Sequence, residues 1–384
     1  MKILHVIETL GRGGAEQTLV NLLPALKKRG IECEVATLWS PHSLAPELEK
    51  LGIPVHYLNI HHRWSIIEGT IKVARILQKG HFDIIHAHLF FAGFYTATSR
   101  LLTSSIYRVI TFHNETFTGF PANTIWRKFR KHIESLLTRY WINGKVAVST
   151  AVAQHYCYHL KLSHVEVIHN AFPVKILKPD PKLNAAKVRT RYNLMADEFV
   201  IIMPGRLIAQ KGHKILLQAI NLLKEKDLRP HVLIFGDGPL KDEINQILVA
   251  KKLSKQVMLH EAIPHEELMK IVQAADIFAM PSIFEGFGLA SAEAMALEIP
   301  VIASRVGGLI DFIEDGISGI LVPQGNAVAL ADGIEKLMTE PTLRKQLGKA
   351  ARQQIETCFS VDIIADRYVR YYEDLLYSES SFRI

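Results

Sequence analysis

The sequence predicts an α/β protein built from two doubly wound domains, and three observations support this prediction. Its 384 residues exceed what one hydrophobic core usually organises. Short apolar runs of strand length alternate with longer amphipathic stretches along the whole chain. A stretch rich in proline and lysine, residues 173–197, divides this alternation into two halves. With 48% apolar and 22% charged residues, the composition is that of a folded globular protein.

The first half, residues 1–172, contains seven strand-like runs. They are Ile3–Ile7, Cys33–Leu38, Val55–Leu58, Ile84–His86, Val109–Phe112, Val146–Val148 and Val165–Ile168. Helical stretches such as Ala15–Arg29 and Ile66–Gln78 lie between most of these runs. Such alternation is typical of a parallel sheet that helices cover on both faces. We therefore predict one doubly wound domain here.

The second half repeats the pattern over residues 198–360. Its strand-like runs are Val200–Met203, His231–Phe235, Val257–Leu259, Ile277–Met280, Val301–Ala303 and Gly319–Val322. Pro173, Pro179 and Pro181 interrupt the stretch before it, so residues 173–197 are interpreted as a linker with a short helix near Ala185–Tyr192. A last helix is expected at Val361–Leu376.

The positive charge of the chain is confined to its first half. Residues 1–172 hold 19 Lys and Arg against 11 Asp and Glu, whereas the remainder holds 26 against 27. A basic half suggests an anionic partner such as a phosphate, an acidic lipid surface or a nucleic acid. The sequence carries neither an aromatic and basic RNA motif nor a helix-turn-helix signature, so no nucleic acid is expected.

The cysteine content and the lengths of the apolar runs indicate where the protein is located in the cell. Cys33, Cys157 and Cys358 lie far apart, and no Cys/His spacing typical of metal sites occurs. No apolar run approaches the roughly 18–20 residues that a membrane-spanning helix needs. We therefore expect reduced thiols in a cytoplasmic protein.

A glycine-rich loop follows the first predicted strand. Gly11-Arg12-Gly13-Gly14-Ala15-Glu16 opens the first helix, where free backbone amides favour an anion. Glu16 stands where a dinucleotide fingerprint has its third glycine, and no acid ends the second strand. By itself the loop is either a binding loop or a turn without a ligand.

Two further motifs follow strands of the second half. Gly205-Arg206 and, shortly after, Lys211 come at the carboxyl end of its first strand, where ligands of open α/β sheets collect. The guanidinium and ammonium groups together suit a diphosphate, although exposed surface cations are the commoner role of such residues.

The third motif places two carboxylates eight residues apart, Glu285 and Glu293, around Gly286 and Gly288. One carboxylate can bind sugar hydroxyls and the other ribose hydroxyls, while the glycines leave backbone amides accessible. The alternative for Glu293 is a solvated helical residue, but its neighbours Ala292, Ala294 and Met295 are apolar.

Taken together, these motifs resemble the family-four glycosyltransferases, which are retaining enzymes of the GT-B fold. The resemblance rests on GGAE after the first strand, GRL with QKG, FGDGPL, EGFGLASAEAMA and PVIASRVGGL, and it covers nearly the whole chain. It implies two Rossmann-like doubly wound domains facing across a cleft that holds the donor. It also implies that the C-terminal segment, 361–384, crosses back to the first domain.

The resemblance assigns a role to each site position. Arg206 and Lys211 would grip the diphosphate of a nucleotide sugar, next to Gly205, and Glu293 would bind the ribose diol. Glu285 would contact the transferred sugar, with Gly286 and the amides of Phe287, Gly288 and Leu289 beside sugar or phosphates. Gly13 and Gly14 would cap the donor from the first domain, and His113 would face the transferred sugar. Backbone around Ala262 and Ile263 would hold the base.

The implied reaction is front-face substitution with retention of the anomeric configuration. No Asp-x-Asp occurs in the sequence, so neither a metal nor another cofactor is expected, and protein cations would hold the leaving phosphate. Two positions depart from the family pattern, because Glu261 and Glu298 stand where glycine is usual. Glu261, beside the base pocket, leaves the nucleotide open.

Other histidines invite a metal interpretation. His86 and His88 alternate on one strand and therefore share a face, but the sequence offers no third ligand. Roles in a cleft or in the core are the alternatives.

The acceptor is expected to bind the first domain, where residues 123–141 form a basic amphipathic stretch. Its apolar positions are Ile125, Trp126, Phe129, Ile133, Leu136, Leu137, Tyr140 and Trp141. Its basic positions fall mostly on the other face. One interpretation is a helix at an anionic membrane surface, which suits a lipid-linked or glycan acceptor and peripheral attachment to the inner face of the membrane. The other is a core-packed helix with a solvated basic face.

The alternatives to a transferase are a sugar-nucleotide epimerase of the same fold, an inactive sugar-binding relative and a basic anion-binding protein without enzymatic activity.

Overall fold

The computed structural model describes residues 1–117 and 125–377, with only the helical backbone described for 125–127. The chain forms two compact units. The first comprises residues 1–172 together with 359–384, and the second comprises residues 173–358. Residues 359–377 therefore pack with the first unit, whereas residues 378–384 lie outside the described residues.

The first unit contains a seven-stranded sheet whose strands pair in parallel. Along the chain its strands are β1 (Lys2–Ile7), β2 (Glu32–Thr37), β3 (Val55–Tyr57), β4 (Ile84–His88), β5 (Tyr107–Phe112), β6 (Gly144–Ala147) and β7 (Glu166–Val167). Their order in the sheet is β3-β2-β1-β4-β5-β6-β7, so the chain reverses direction across the sheet between β1 and β4. Each predicted strand of this half has a counterpart here.

The helices that cover this sheet follow the strands in turn. They are α1 (Gly14–Lys28), α2 (Ala45–Lys50), α3 (Ile66–Gly80), α4 (Phe90–Thr98), α5 (Ile125–Tyr140) and α6 (Thr150–Leu160). The apolar faces of β1 and α1 meet in one core, where residues such as Ile3, Leu23 and Leu26 are fully buried. A parallel sheet with buried faces needs such nearly continuous apolar strands.

The second unit contains a six-stranded parallel sheet with the same arrangement. Its strands are β8 (Val200–Pro204), β9 (His231–Phe235), β10 (Val257–His260), β11 (Ile277–Met280), β12 (Val301–Ser304) and β13 (Ile320–Val322). The sheet order is β10-β9-β8-β11-β12-β13, so the reversal falls between β8 and β11. The helices of this unit are α7 (Ala185–Thr190), α8 (His213–Glu225), α9 (Lys241–Ala250), α10 (His265–Ala274), α11 (Leu289–Ala296), α12 (Leu309–Phe312), α13 (Ala327–Thr339) and α14 (Pro341–Cys358).

Residues 173–197, interpreted from the sequence as a linker, are part of the second unit instead. Arg189 of α7 is the reason. Its guanidinium donates to the carbonyl oxygens of Ala274, Ala196 and Glu198 and forms an ion pair of 2.9 Å with Asp276. A planar fork that satisfies several acceptors at once fixes α7 against α10.

The last helix, α15 (Val361–Tyr377), packs on the core of the first unit beside α1. Ile364, Tyr368 and Tyr372 on one face of α15 are buried, and Arg29 at the end of α1 donates to Asp366 at 2.6 Å. The chain thus passes from the first unit to the second and returns, and its last helix packs on the first unit.

The buried face of α5 differs from the face that the apolar pattern suggested. Phe129, Leu136 and Tyr140 are exposed, with 57%, 42% and 64% of their surface accessible, whereas Glu134 and Thr138 are buried. Of the two interpretations offered by the sequence, the core-packed helix is therefore wrong at Phe129, Leu136 and Tyr140, whereas Ile133 and Leu137 are half-buried. Asn123 and Thr124, where the predicted stretch begins, lie outside the described residues.

Within residues 1–117 and 125–377, no helix is both long and apolar enough to cross a membrane. Cys33, Cys157 and Cys358 are unpaired thiols, and burial raises the pKa of Cys33 to about 12.

Candidate functional site

In the second unit, the loops after β8 and β11 come together where the strand order reverses. Ligands of open α/β sheets bind at this point, outside the carboxyl ends of the strands. The β8 loop runs from Gly205 to Gly212, and the β11 loop runs from Pro281 to Gly288. The amide of Ile283 donates to the carbonyl oxygen of Gln210 at 2.7 Å, which ties the two loops together.

Two glycines make this close approach feasible. Gly212 has a φ of +75°, and a Cβ at this position would lie 1.8 Å from the carbonyl oxygen of Pro281. A Cβ on Gly236, after β9, would lie 1.9 Å from the carbonyl oxygen of Gly205. Any larger residue would push the loops apart, so the glycines hold the carboxyl ends of the strands together.

The centre of the site is an ion pair between Lys211 and Glu285. Lys211 Nζ lies 2.7 Å from Glu285 Oε2, and the two side chains are 16% and 12% exposed. Ser282 Oγ lies 3.4 Å from the same carboxylate oxygen. The carbonyl oxygen of Glu285 accepts from the amide of Gly308 at 3.0 Å, so both the backbone and the side chain of Glu285 are fixed.

Arg206 differs from Lys211 in that its side chain is exposed. It has no ion-pair partner among the residues that the structure describes. A guanidinium with no acidic neighbour can bind an incoming anion without first breaking an ion pair.

The N-terminus of α11 opens next to Glu285. Gly288, at its N-cap, has a φ of +98° and supplies no side-chain cap. Gly286 and Phe287 before it are buried, and the Phe287 ring packs on Phe312 at a centroid distance of 5.0 Å. The amides of Ser291 and Ala292 donate to the carbonyl oxygen of Gly288, so the backbone amides of Leu289 and Ala290 are the ones left for an anion at the positive end of the helix.

Glu293 lies in the second turn of α11 and is not simply solvated. Its Oε1 is 2.9 Å from His265 Nε2, and its side chain is 20% exposed. The hydrogen bond to Glu293 raises the pKa of His265. His265, which opens α10 directly after the loop of Ala262 and Ile263, was not predicted from the sequence. Its position directly after the loop predicted to hold the base could have identified it as a residue of the site.

The loop after β10 holds Ala262 and Ile263 at the surface. The amide of Ala262 donates to Asp237 Oδ2 at 3.3 Å, which links this loop to the one after β9. Glu261, one of the two departures from the family pattern, points outward. Its side chain is 79% exposed and pairs with Lys241 at 3.2 Å.

Glu298, the other departure, occupies a left-handed position after α11. Its φ is +60°, its amide donates to Met295 O, and the amide of Ile299 donates to Ala294 O. These two bonds form a Schellman C-cap, in which glycine is the preferred residue at this position. This departure from the family pattern therefore concerns a helix end.

The first unit offers its own set of groups at the reversal between β1 and β4. Gly13 is the N-cap of α1, and a Cβ there would lie 2.4 Å from Glu16 Oε2. The carboxylate of Glu16 also accepts from Thr9 Oγ1 at 2.8 Å. Gly13 and Gly14 are exposed, and a glycine at 13 leaves room for Glu16 at the start of the helix.

His113 follows β5 and belongs to a cluster of buried histidines with His5, His86 and His88. Burial lowers the pKa of His5 to about 3 and that of His113 to about 4, and it lowers the pKa of both others well below 6.5. The cluster is therefore neutral near pH 7.

The expectation that His86 and His88 lack a third histidine partner is wrong, because His5 is beside them. Nitrogen atoms of His5, His86 and His88 lie within 4.8 Å of one another. His5 pairs with His86 in the parallel register of β1 and β4, so the adjacency of these two strands was the missing information.

Both halves of the chain are similar in sequence to known glycosyltransferases. Residues 185–354 match the family described as glycosyl transferases group 1, and residues 12–175 match glycosyltransferase family 4. Over 94% of both chains, the protein is 26% identical to the uncharacterized glycosyltransferase MJ1607 of Methanocaldococcus jannaschii. It is 27% identical to the alpha-D-kanosaminyltransferase of Streptomyces kanamyceticus, but this match spans only half of that relative's length.

Among solved structures, the fold is similar to Anabaena HepE in complex with UDP and glucose. The TM-score is 0.82 with 22% identity, over 97% of this chain and 100% of HepE.

Proposed function

Because the chain belongs to the family-four glycosyltransferases and has their GT-B fold, we propose that it is a retaining, metal-independent hexosyltransferase. The donor is a UDP- or GDP-linked hexose or N-acetylhexosamine. The acceptor is a glycan or a lipid-linked molecule in the synthesis of a cell-surface polysaccharide or glycolipid.

The observation that carries this proposal is the Lys211–Glu285 pair beside the uncapped N-terminus of α11. A cation, a carboxylate and free helix amides within one loop cluster suit a molecule that is anionic at one end and rich in hydroxyls at the other. A sugar linked to a diphosphate has this character. Arg206, exposed on the same β8 loop, adds a second cation for the diphosphate.

In the proposed reaction, the bond between the anomeric carbon and the phosphate oxygen breaks on one face of the sugar. The acceptor oxygen bonds to the anomeric carbon on that same face, and its proton passes to the leaving phosphate oxygen. Arg206, Lys211 and the α11 amides stabilise the negative charge that develops on the leaving group. Protein cations thus supply the charge neutralisation for which other enzymes use a metal.

The two carboxylates take different parts of the donor. Glu285, fixed by Lys211 and Gly308, accepts hydrogen bonds from sugar hydroxyls. Glu293 accepts from the ribose diol, and His265 beside it holds the carboxylate in place. For the first unit, the family resemblance assigns His113 to the transferred sugar and Gly13 and Gly14 to the donor. The presence of UDP in the HepE complex makes UDP-sugars the first donors to test.

We further propose that α5 contacts an anionic membrane surface. A cavity of about 530 Å³ between α5 and α6 is lined by Lys128, Lys131, Arg139 and Lys161, and none of its described lining residues is a carboxylate. The exposed side chains of Phe129, Leu136 and Tyr140 stand on the same helix. Apolar residues that enter the interface and cations that bind headgroups are the two contributions that such a surface requires.

Nucleotide release from a panel of UDP-, GDP- and ADP-sugars, with and without EDTA, tests the enzymatic proposal. We expect slow hydrolysis of one donor that EDTA does not change. Lys211→Ala should lower this rate by about 10²–10³-fold, as expected for loss of a group that stabilises the leaving charge. Lys214→Ala is the matched control, since Lys214 is exposed on α8 and pairs with Glu243.

Loss of activity in EDTA that added metal restores would contradict metal independence. Conversion of the donor to an epimer without transfer would favour an epimerase. No release and no binding with any donor would contradict the transferase proposal for this panel.

Liposome sedimentation tests the membrane proposal. A triple variant, Lys128→Gln, Lys131→Gln and Arg139→Gln, should bind acidic vesicles much more weakly than the native protein. The control, Lys251→Gln with Lys255→Gln, removes exposed charges from the second unit and should bind normally. Equal binding to neutral and acidic vesicles, or to neither, would contradict an anionic membrane contact.

A further inference from the structure

Three of the four histidines in the buried cluster of the first unit form a continuous chain of hydrogen bonds. His5 Nδ1 lies 3.2 Å from His88 Nε2, and His88 Nδ1 lies 3.1 Å from His113 Nε2. The chain runs from the middle of β1 through the last residue of β4 to the residue that follows β5. It therefore leads from the interior of the sheet to the carboxyl edge, where His113 stands.

Both ends of the chain are buried nitrogen atoms, His5 Nε2 and His113 Nδ1, which have no hydrogen-bond partner among the residues that the structure describes. Buried polar atoms normally have a partner, so each exception calls for an explanation. His113 directly follows β5, at the carboxyl end of the sheet where ligands of open α/β sheets bind, so this unsatisfied nitrogen belongs to a residue of the ligand-binding edge.

His86 is in the same cluster but outside the chain. Its Nδ1 lies 2.6 Å from the hydroxyl of Tyr372, and its Nε2 lies 2.7 Å from Thr111 Oγ1. With both nitrogens satisfied by hydroxyl groups, His86 has no nitrogen left for His88 or for a shared metal ion. The cluster is thus better described as a three-histidine chain beside one independently bonded ring.

Neutral imidazoles impose a strict rule on such a chain. Each ring carries one N–H, and each N···N contact needs one donor and one acceptor. If His88 carries its proton on Nδ1, it donates to His113 Nε2, so His113 must carry its own proton on Nδ1, and His5 must donate from Nδ1. If His88 is protonated on Nε2, the other two must be protonated on Nε2 as well.

We propose that His88 and His5 are positioning residues that hold the ring orientation of His113 and couple its tautomer to their own. The inference rests on the proposed function only in that His113 is taken to contact the sugar. In the Nδ1–H state, His113 presents a donor to the ligand, and in the Nε2–H state it presents an acceptor. All three rings change together, so the ligand selects one of two concerted states.

The first test is ¹⁵N NMR of the full-length protein labelled at histidine. Nitrogen shifts and two-bond couplings identify the protonated nitrogen of each ring, and single substitutions of His5, His88 and His113 assign the signals. We expect three neutral rings with the proton on the same nitrogen in each. A mixed set of tautomers, or a charged ring at neutral pH, would overturn the proposal whether or not any donor is turned over.

The second test uses two variants of the middle ring. The amide of Asn lies near the position of imidazole Nδ1, and that of Gln lies near Nε2. His88→Asn keeps the contact to His113, whereas His88→Gln keeps only the contact to His5. We expect kcat to fall by about tenfold in His88→Gln, the worth of one hydrogen bond, with a smaller change in the donor KM. His88→Asn should restore most of the rate.

His86→Gln is the structural control, because His86 is equally buried on the same strand but outside the chain. It should lower stability without changing the tautomer signals of His113. Equal losses in both His88 variants would assign His88 a packing role and overturn the proposal. Stoichiometric zinc in the purified protein that is lost in His86→Gln would also overturn it, in favour of a metal site.

Discussion

Acidification should destabilise the first unit, because its histidine cluster is buried in the neutral form. The unfolded chain takes up protons as the pH falls below 6.5, whereas folded His5 and His113 resist protonation down to pKa values of about 3 and about 4. The unfolded state then binds more protons, so stability falls as the pH falls. At pH 5 this amounts to about 2 kcal/mol for each of the two rings. His86 and His88 act in the same direction.

Glu134 opposes this effect in the same unit. It is 5% exposed on α5, and burial raises its pKa to about 7 against the lowering influence of Arg130. Between pH 4.5 and 7 the folded state holds a proton that the unfolded state has released, so this group stabilises the fold as the pH falls. From pH 7.5 to pH 5, Glu134 raises the free energy of unfolding by about 2 kcal/mol.

Urea unfolding followed by tryptophan fluorescence measures the balance. All four tryptophans fall within residues 1–172, so the signal reports the first unit. From His5, His113 and Glu134 together, we expect a loss of at least about 2 kcal/mol between pH 7.5 and pH 5, which at a slope of about 2 kcal/mol per molar urea lowers the midpoint by at least about 1 M. His86, His88 and His155, whose pKa values burial also lowers, add to this loss. Glu134→Gln should increase the loss by about a further 2 kcal/mol.

An unchanged or rising midpoint on acidification would refute the assignment of the histidines as buried and neutral. A Glu134→Gln variant with the same pH dependence as the native protein would refute the raised pKa of Glu134. The two groups are thereby tested separately, because only the second comparison involves Glu134.

Three further predictions concern the second unit. Glu298→Gly should raise its stability by about 0.5–1 kcal/mol, visible as a higher Tm, because glycine removes the left-handed strain at the C-cap; no change would show that Glu298 is unstrained. Gly212→Ala should disrupt the site as well as the fold, since its Cβ would lie 1.8 Å from the Pro281 oxygen, and normal donor hydrolysis would contradict this. Glu285→Gln should tighten binding of free nucleoside diphosphate in calorimetry, because Lys211 loses its competing anion, while turnover falls. Weaker nucleotide binding would mean that Glu285 orients Lys211 rather than competes for it.

The sequence was most informative where a local pattern determines the structure. The thirteen strand-like runs each match a strand, because a parallel sheet buried on both faces requires apolar runs separated by helices. The motif after β8 and the motif after β11 meet because both follow strands at the reversal of the sheet. Strand order, rather than spacing in sequence, brings Lys211 to Glu285.

Patterns that depend on distant partners were predicted poorly. The exposed face of α5 was misassigned because Glu134 is buried, which no hydrophobic pattern indicates. Residues 173–197 were interpreted as a linker because of their prolines. The sequence does not show that the guanidinium of Arg189 donates to carbonyl oxygens of other residues and so fixes this segment to the second unit. His5 was not predicted to join the histidine cluster, because it meets His86 and His88 only when β1 pairs with β4.

Both carboxylates that were assigned to the donor have a cationic or histidine partner within the second unit. Glu285 has Lys211 at 2.7 Å, and Glu293 has His265 at 2.9 Å. A partly buried carboxylate without a partner would be costly, so these pairs keep the acceptors in place before a ligand arrives. A sugar or ribose diol can donate to the remaining lone pairs of each carboxylate without displacing its partner. Under the proposed function the diphosphate would differ, because it would share Lys211 with Glu285, whereas Arg206 has no ion-pair partner among the described residues. Recognition of hydroxyls would then use preformed acceptors, while recognition of the diphosphate would redistribute one cation between two anions. In that proposed reaction Lys211 would respond to the charge at the leaving phosphate, which is the charge that increases during transfer.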